Sequence, residues 1–488
     1  MQADREIQQT YTARGESLPG RFAYAACATP PGTSGIAVIR MAGTYAFDIA
    51  DMVFKSHCLN PLIVRDMKGY SCAYGAFINP ITNEVIDNVI LTKFIAPNSY
   101  TGEDIIEISC HGGIAVKSSI LDILFQTGAT PAQPGEFSKN AFLNGKLDLA
   151  QAEAVMDLIS ATARKASAQA TKQLNGALSV KIREISSNLY VLMSKVEMIV
   201  EFPEHEETKE AFLAISNQIA SIVDQLDSLI LSFKKGRILK EGLIVVIAGK
   251  PNAGKSSMLN TLAGYDRAIV TAIPGTTRDT VEEFVDIEGL PVRLIDTAGL
   301  RESSDEVEKM GIDRARKAIE SADLVFWISS EPEFNSEGLL DQEEDLKEIL
   351  SCHQENALAL IIGKSDITPF ERNRQVLQEA FPNAPIIPFS SVTKEGVDAV
   401  RELIRMKYEQ TGAKSGDEVL ITNARHLHAI NQARQHLDMG LQGFSRNIPL
   451  DLLASVLRIA ADDLALITGD EVNEELVNEI FSRFCIGK

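Results

Sequence analysis

The chain has 488 residues, a net charge of −20 and an apolar share of 45%. That length exceeds one compact core, and about 150 residues per domain points to three or so domains. The acidic balance excludes a protein that coats nucleic acid by bulk charge, although it allows a local basic patch, and the ordinary apolar content excludes a disordered chain.

No apolar run approaches about 18 residues. The opening stretch MQADREIQQTYTARGES is polar and lacks a signal-peptide core, so a cytoplasmic protein that is not integral to a membrane is expected. The six cysteines, Cys27, Cys58, Cys72, Cys110, Cys352 and Cys485, show no paired spacing and read as reduced thiols. His57 beside Cys58 and His353 beside Cys352 lack a second pair at ligand spacing and read as structural or exposed.

Residues 1–20 form an extension with no assigned role. Residues 21–138 are broken by Gly and Pro and carry β-rich runs such as GIAVIR (35–40) and VIDNVILTKFI (85–95), which predicts an α+β domain. Residues 139–240 turn helical. Ile182, Ile185, Leu189, Leu192, Val196 and Ile199 are spaced 3, 4, 3, 4, 3 and form one apolar stripe, and Ile215, Ile219, Ile222, Leu226 and Leu229 form a second. The two helices are expected to pair in antiparallel fashion, with the acidic stretch EFPEHEETKE (201–210) between them as a solvated loop or helix start.

From 241 to 410 strands and helices alternate, the pattern of a doubly wound sheet. Residues 411–488 are helical again, with Leu453, Leu457, Ala460 and Leu464 on one face. The fold class is therefore multi-domain α/β: an α+β N-terminal domain and a discontinuous α-helical bundle into which a nucleotide-binding domain is inserted.

The inserted domain carries recognisable chemistry. GKPNAGKS (249–256) follows an apolar strand-like run and opens a helix, the setting of a P-loop. Asn252, Ala253, Gly254, Lys255, Ser256 and Ser257 would wrap a triphosphate with inward N–H groups at the positive end of a helix. Lys255 would reach the β and γ phosphates, and Ser256 would offer its hydroxyl to Mg²⁺.

Downstream, IPGTTRD (273–279) resembles a switch I in which Thr277 completes the Mg²⁺ shell; the expected nucleotide contacts here are Thr271, Ala272, Ile273, Pro274, Gly275, Thr276 and Thr277. VRLIDTAGL (292–300) places Asp296 at a strand end, where it can hold the metal through water, followed by Thr297, Ala298 and Gly299, whose N–H can reach the γ-phosphate. Read alone, DTAG also fits an ordinary strand-end turn.

In IIGKSDI (361–367), Asp366 can accept hydrogen bonds from guanine N1 and the exocyclic amine while Lys364 stacks along the ring. Gly363 stands where an N-K-x-D pattern has Asn, so GTP specificity is expected with reduced affinity. Ser390 and Ser391, in FSSVTKEG, resemble a further guanine-contacting loop. The residue after DTAG is Leu300 rather than a water-orienting glutamine. Glu308 in SDEVE is the candidate in its place, although such a residue also reads as a solvated helix charge.

Together with these motifs, ATPPG (28–32), YTGEDIIEISCHGG (100–113), PGEFS (134–138), AFLNGKLDLAQAEAV (141–155), DTAGLRESSDEVE and the final FCIGK (484–488) resemble the MnmE (TrmE) family of tRNA-modification GTPases, from about residue 21 to 488. The resemblance implies a GTPase that works with a flavin (FAD)-containing partner of the MnmG (GidA) family, in a heterotetramer, to install an aminomethyl-type group on C5 of the wobble uridine of tRNA. It implies an N-terminal domain that dimerises and binds a 5-formyl-tetrahydrofolate-like ligand through Arg40, Glu107, Lys146 and Lys488. Read without the family, each of these is a surface charge. Cys485 is a candidate nucleophile or an incidental thiol.

The family also implies potassium beside the phosphates, held by Asn252 and the backbone around Thr271, Ile273 and Thr276, and hydrolysis activated by dimerisation with Glu308 orienting the water. A ribosome-assembly GTPase is the alternative reading, and a folate-dependent one-carbon transferase with a structural GTPase insert is a third.

Overall fold

The computed structural model describes residues 23–57, 62–201, 209–265, 282–296, 316–331, 346–347, 349, 351, 357–410, 419–445 and 449–487. The chain divides into two compact units, Met1–Ala152 with Gly469–Lys488, and Glu153–Thr468.

The first unit is built on a seven-stranded sheet. Its strands are β1 (Tyr24–Cys27), β2 (Ser34–Ala42), β3 (Phe54–Ser56), β4 (Ser71–Ile78), β5 (Val85–Phe94), β6 (Ile105–Gly112) and β7 (Thr130–Pro131), in the order β3-β4-β5-β6-β2-β1-β7. Neighbours are antiparallel except β1 with β7. Alternation sorts the two faces. Ala37, Ile39 and Met41 of β2, Val89 and Leu91 of β5, and Ile106, Ile108 and Cys110 of β6 enter one core with helices α1 (Ala46–Val53) and α2 (Ile114–Gln126).

The opposite face carries two cross-strand rows. Cys72, Thr92, Glu107 and Arg40 form one, and Tyr74, Ile90, Ser109 and Val38 form the next. Helix α3 (Glu136–Leu143) meets the C-terminal helix, Glu474–Ser482, in this same unit. The predicted β-run at 35–40 falls within β2, and the one at 85–95 coincides with β5 except for Ile95.

The second unit joins helices to a second sheet. Four long helices, α6 (Ala177–Glu201), α7 (Lys209–Glu241), α11 (Ala424–Ser445) and α12 (Leu450–Thr468), are preceded by α4 (Leu149–Ser160) and α5 (Arg164–Leu174). The stripe of α6 packs mainly on α12, α12 on α11, and α11 on α7. Lys181 with Gln225 and Lys195 with Gln218 join α6 and α7 in an antiparallel sense, at 3.0 and 3.4 Å.

Between α7 and α11 runs a six-stranded sheet of β8 (Leu243–Ala248), β9 (Glu282–Ile287), β10 (Leu290–Asp296), β11 (Leu324–Ser329), β12 (Leu358–Gly363) and β13 (Ile386–Phe389), in the order β13-β12-β11-β8-β10-β9. All pairs are parallel except β9 with β10. Strands β8, β11 and β12 are buried along their whole length, as strands covered on both faces must be. Val245, Ile247, Phe326 and Ile361 face one core, and Val246, Ala248, Val325 and Leu360 the other.

Candidate nucleotide and one-carbon sites

Strand β8 lies between β10 and β11, so its C-terminal end opens at the point where strand order reverses, the usual place for a ligand in an open α/β sheet. The loop 249–254 leaves β8 there and runs into α8 (Lys255–Tyr265). Gly249 has φ of 139°, and a Cβ on it would stand 2.1 Å from the Ile328 carbonyl oxygen, so only glycine passes the neighbouring strand.

Asn252 is exposed, with φ of 64°. Ala253 is buried and Gly254 half-buried, whereas Ser256 and Ser257 are exposed. Lys255 is 5% exposed and curls back over the loop, its Nζ donating to the carbonyls of Gly249 and Lys250, both at 2.7 Å. The ammonium is thereby held at the mouth of the helix beside the loop's own amides. Ser256 donates from Oγ to Oδ2 of Asp296 at 2.7 Å. A hydroxyl and a carboxylate meeting beside a P-loop are the hard oxygen donors that Mg²⁺ takes, so these residues fit the ion.

On the far side of β11, Lys364 and Asp366 are both exposed on the loop after β12, and Lys364 has φ of 52°. The amides of Ile367 and Thr368 donate to the Lys364 carbonyl at 2.9 Å. Ser365 ties this loop to the one after β13: its N–H donates to Phe389 O at 3.2 Å and its hydroxyl to Glu395 Oε2 at 2.6 Å. Ser390, 1% exposed, accepts from the amides of Val392 and Thr393 at 3.2 Å, so it shapes its own turn; Ser391 is half-buried beside it. The phosphate-side and base-side residues thus share the C-terminal edge of one sheet. The predicted positions Thr271, Ala272, Ile273, Pro274, Gly275, Thr276, Thr277, Thr297, Ala298, Gly299 and Glu308 lie outside the described residues, as does Lys488.

In the first unit, Arg40 and Glu107 are direct cross-strand partners. Arg40 donates from Nε at 2.9 Å and from Nη2 at 2.7 Å to Glu107 Oε1, with side-chain exposures of 15% and 25%. The guanidinium carbon lies 5.3 Å from the Tyr100 ring and 5.5 Å from that of Phe137, and Nη1 reaches the Gly487 carbonyl at 3.5 Å. The C-terminal residues therefore reach the Arg40 side chain.

Burial pushes the Tyr100 hydroxyl's pKa up, against the opposing pull of its Ser138 hydrogen bond and the Arg40 charge. Beside it, burial and then Glu103 raise the Tyr24 phenol, which donates to Glu103 Oε2 at 2.5 Å and accepts from Asn140 at 2.7 Å. Lys146 is exposed, its backbone N–H bonded to Ala141 O at 2.8 Å. A guanidinium backed by two aromatic rings and paired with a partly exposed carboxylate suits a planar ligand with donors and an anionic group, so these residues fit a folate.

Sequence reasoning missed Tyr100, Phe137 and Tyr24 as members of this site. The first two sit inside the quoted blocks YTGED and PGEFS, a local signal for them. Among the described residues Cys27, Cys72, Cys110 and Cys485 are free thiols, no group of three or more His, Cys, Asp and Glu could hold a metal ion, and no helix is long and apolar enough to cross a membrane.

The sequence matches the family described as GTP-binding protein TrmE N-terminus over residues 23–146 and the MnmE helical domain over residues 149–485. A tRNA modification GTPase MnmE from Acetivibrio thermocellus is 39% identical over 464 residues, covering 95% of this chain and 98% of that relative. One from Ligilactobacillus salivarius is 40% identical over 465 residues, covering 95% and 97%. The G domain of the T. maritima FeoB iron transporter is 32% identical, covering 33% of this chain and 96% of that one, with a TM-score of 0.26. With both of its family segments matched in order and near-complete coverage of full-length relatives, the chain belongs to the MnmE (TrmE) family of tRNA modification GTPases.

Proposed function

We propose that the chain binds and hydrolyses GTP and, through that cycle, serves the modification of C5 of the wobble uridine in tRNA, drawing a one-carbon unit from a 5-formyl-tetrahydrofolate-like ligand. The observation that carries the nucleotide half is the cradle at the end of β8, where Lys255 caps the loop carbonyls and Ser256 meets Asp296 at 2.7 Å. Lys255 binds the β and γ phosphates, Ser256 and Asp296 with Thr277 hold Mg²⁺, and Lys364 and Asp366 read guanine. Asn252 and the backbone around Thr271, Ile273 and Thr276 hold K⁺. When bound, the two ions would supply positive charge that offsets the charge developing on the phosphates. Glu308 orients the attacking water.

The tRNA half is supported by the names of the relatives, each a tRNA modification GTPase. The one-carbon half is supported by the pairing of Arg40 and Glu107 over Tyr100 and Phe137, with Lys146 and Lys488 as further ligands. A homodimer is supported by the outward sheet face, where Tyr74 and Ile90 sit opposite each other at 57% and 47% exposure. The cytoplasmic enzyme would act with an FAD-dependent partner of the MnmG (GidA) family.

The test is nucleoside analysis of the wobble uridine in tRNA from cells lacking this chain, complemented by wild type or by Glu308→Ala. The modified uridine is expected to disappear and to return with wild type only. Normal modification without the chain would overturn the tRNA reading, and unchanged GTP turnover by purified Glu308→Ala would remove Glu308 from the mechanism.

A further inference from the structure

Gly363 ends β12 at the root of the loop that carries Lys364 and Asp366. A Cβ there would stand 2.8 Å from the carbonyl oxygen of Ala253 in the P-loop, closer than carbon and oxygen pack without displacement, and 3.2 Å from both Cγ1 and Cδ1 of Ile328. Ile328 is 1% exposed, and its Cδ1 also lies 3.7 Å from the Cβ position of Gly254. The space a side chain at 363 would need is therefore already filled by a buried carbonyl and a buried isoleucine.

Nor is β12 free to withdraw. Ile362 pairs with Ser329 of β11 on one side, and Gly363 pairs with Phe389 of β13 on the other. The bonds from Ser365 to Phe389 and Glu395 then fix the loop beyond it.

We propose that Gly363 is a positioning residue of the base site: carrying no side chain, it lets β12 rest directly on the P-loop backbone, and this contact sets the distance between the base-reading loop and the phosphate cradle. The proposal rests on the assignment of this face to GTP. In an N-K-x-D loop the Asn side chain links the base loop to the P-loop; here the two backbones approach until no link fits. Restoring the asparagine therefore weakens binding, because it pushes Asp366 away from the guanine edge.

The full-length wild type, Gly363→Ala and Gly363→Asn are compared for equilibrium binding of GTP and of ITP, which lacks the 2-amino group Asp366 would engage. Melting temperature and kcat at saturating GTP are measured alongside. Both variants are expected to lose about tenfold or more in GTP affinity, equivalent to about 1.4 kcal/mol, with Gly363→Asn at least as impaired as Gly363→Ala. Their preference for GTP over ITP shrinks, while kcat stays near the wild-type value.

Wild-type or tighter GTP binding by Gly363→Asn would overturn the proposal, and so would a loss equal for GTP and ITP, which marks general loosening. If Gly363→Asn fails to fold, Gly363→Ala decides by the same two measures. A wild-type chain without GTP affinity overturns the parent assignment, an outcome distinct from variants that match a wild type that binds.

Discussion

Asp366 is exposed, and among the described residues its side chain has no hydrogen-bond partner, so its effect should be confined to ligand. Asp366→Ala is predicted to leave stability within about 0.5 kcal/mol of wild type. GTP affinity should fall by about 100-fold or more, the value of two charge-assisted hydrogen bonds at about 1.5–3 kcal/mol each, as read by nucleotide titration and thermal melts of the same sample.

A second residue-scale case is Glu153, which lies within the block 141–155 but has no role assigned from the sequence. Its Oε1 and Oε2 accept from Arg425 at 2.9 and 2.8 Å, and His426 Nε2 lies 2.7 Å from Oε2. Burial alone would raise this carboxyl, but His426 and Arg425 hold it down from 4.5 to about 2. A carboxylate depressed on folding stabilises above its unfolded pKa and loses that contribution as pH falls through the folded one. Glu153→Gln is accordingly predicted to cost about 3 kcal/mol at neutral pH, since it leaves the partly buried Arg425 guanidinium without its carboxylate. Denaturant melts should show the gap from wild type closing between pH 4.5 and about 2.

At the scale of elements, the exit from the inserted domain is held more closely than stripe patterns suggest. The segment 420–422 runs along α7 and α5: Ile421 N donates to Ser232 Oγ, Gln173 Nε2 to Leu420 O, and Thr422 Oγ1 to Gln173 Oε1, each at 3.1 Å. Gly236 makes the approach possible, because a Cβ there would meet Ile421 O at 2.0 Å. Gly236→Ala is predicted to destabilise by about 1–3 kcal/mol, measured as a lowered melting temperature. An unchanged melt would show that the helix and the segment separate without cost.

The stripes on α6 and α7 were legible because helical periodicity is a local property. Their principal partners were not, since a stripe states that a face is buried and not against what. Hence α6 packs mainly on α12, from which it is separated by the whole sheet domain in the chain.

For the molecule as a whole, two copies closing around GTP and potassium would make turnover depend on both the cation and protein concentration. Specific GTPase activity is predicted to be several-fold higher in K⁺ than in Na⁺ at equal ionic strength, and to rise with concentration until the dimer saturates. Equal rates in the two salts, independent of dilution, would sink this mechanism.

The P-loop, Asp296 at its strand end and the K-S-D loop could be read from the linear sequence because each is contiguous and its chemistry depends on residues a few positions apart. The six-stranded sheet was legible for the same reason, from alternating apolar strands and helices. Side-chain pairings across long separations were decided by tertiary structure, although the family resemblance by itself puts Arg40 and Glu107 among the ligands of one site. Arg40 and Glu107 are 67 positions apart, and Glu153 and Arg425 are 272 apart. Strand register and helix packing bring these side chains together, and neither interaction leaves a local trace. Gly363 belongs to both: its departure from N-K-x-D was visible in the chain, but only the nearness of the Ala253 carbonyl explains why that position holds a glycine.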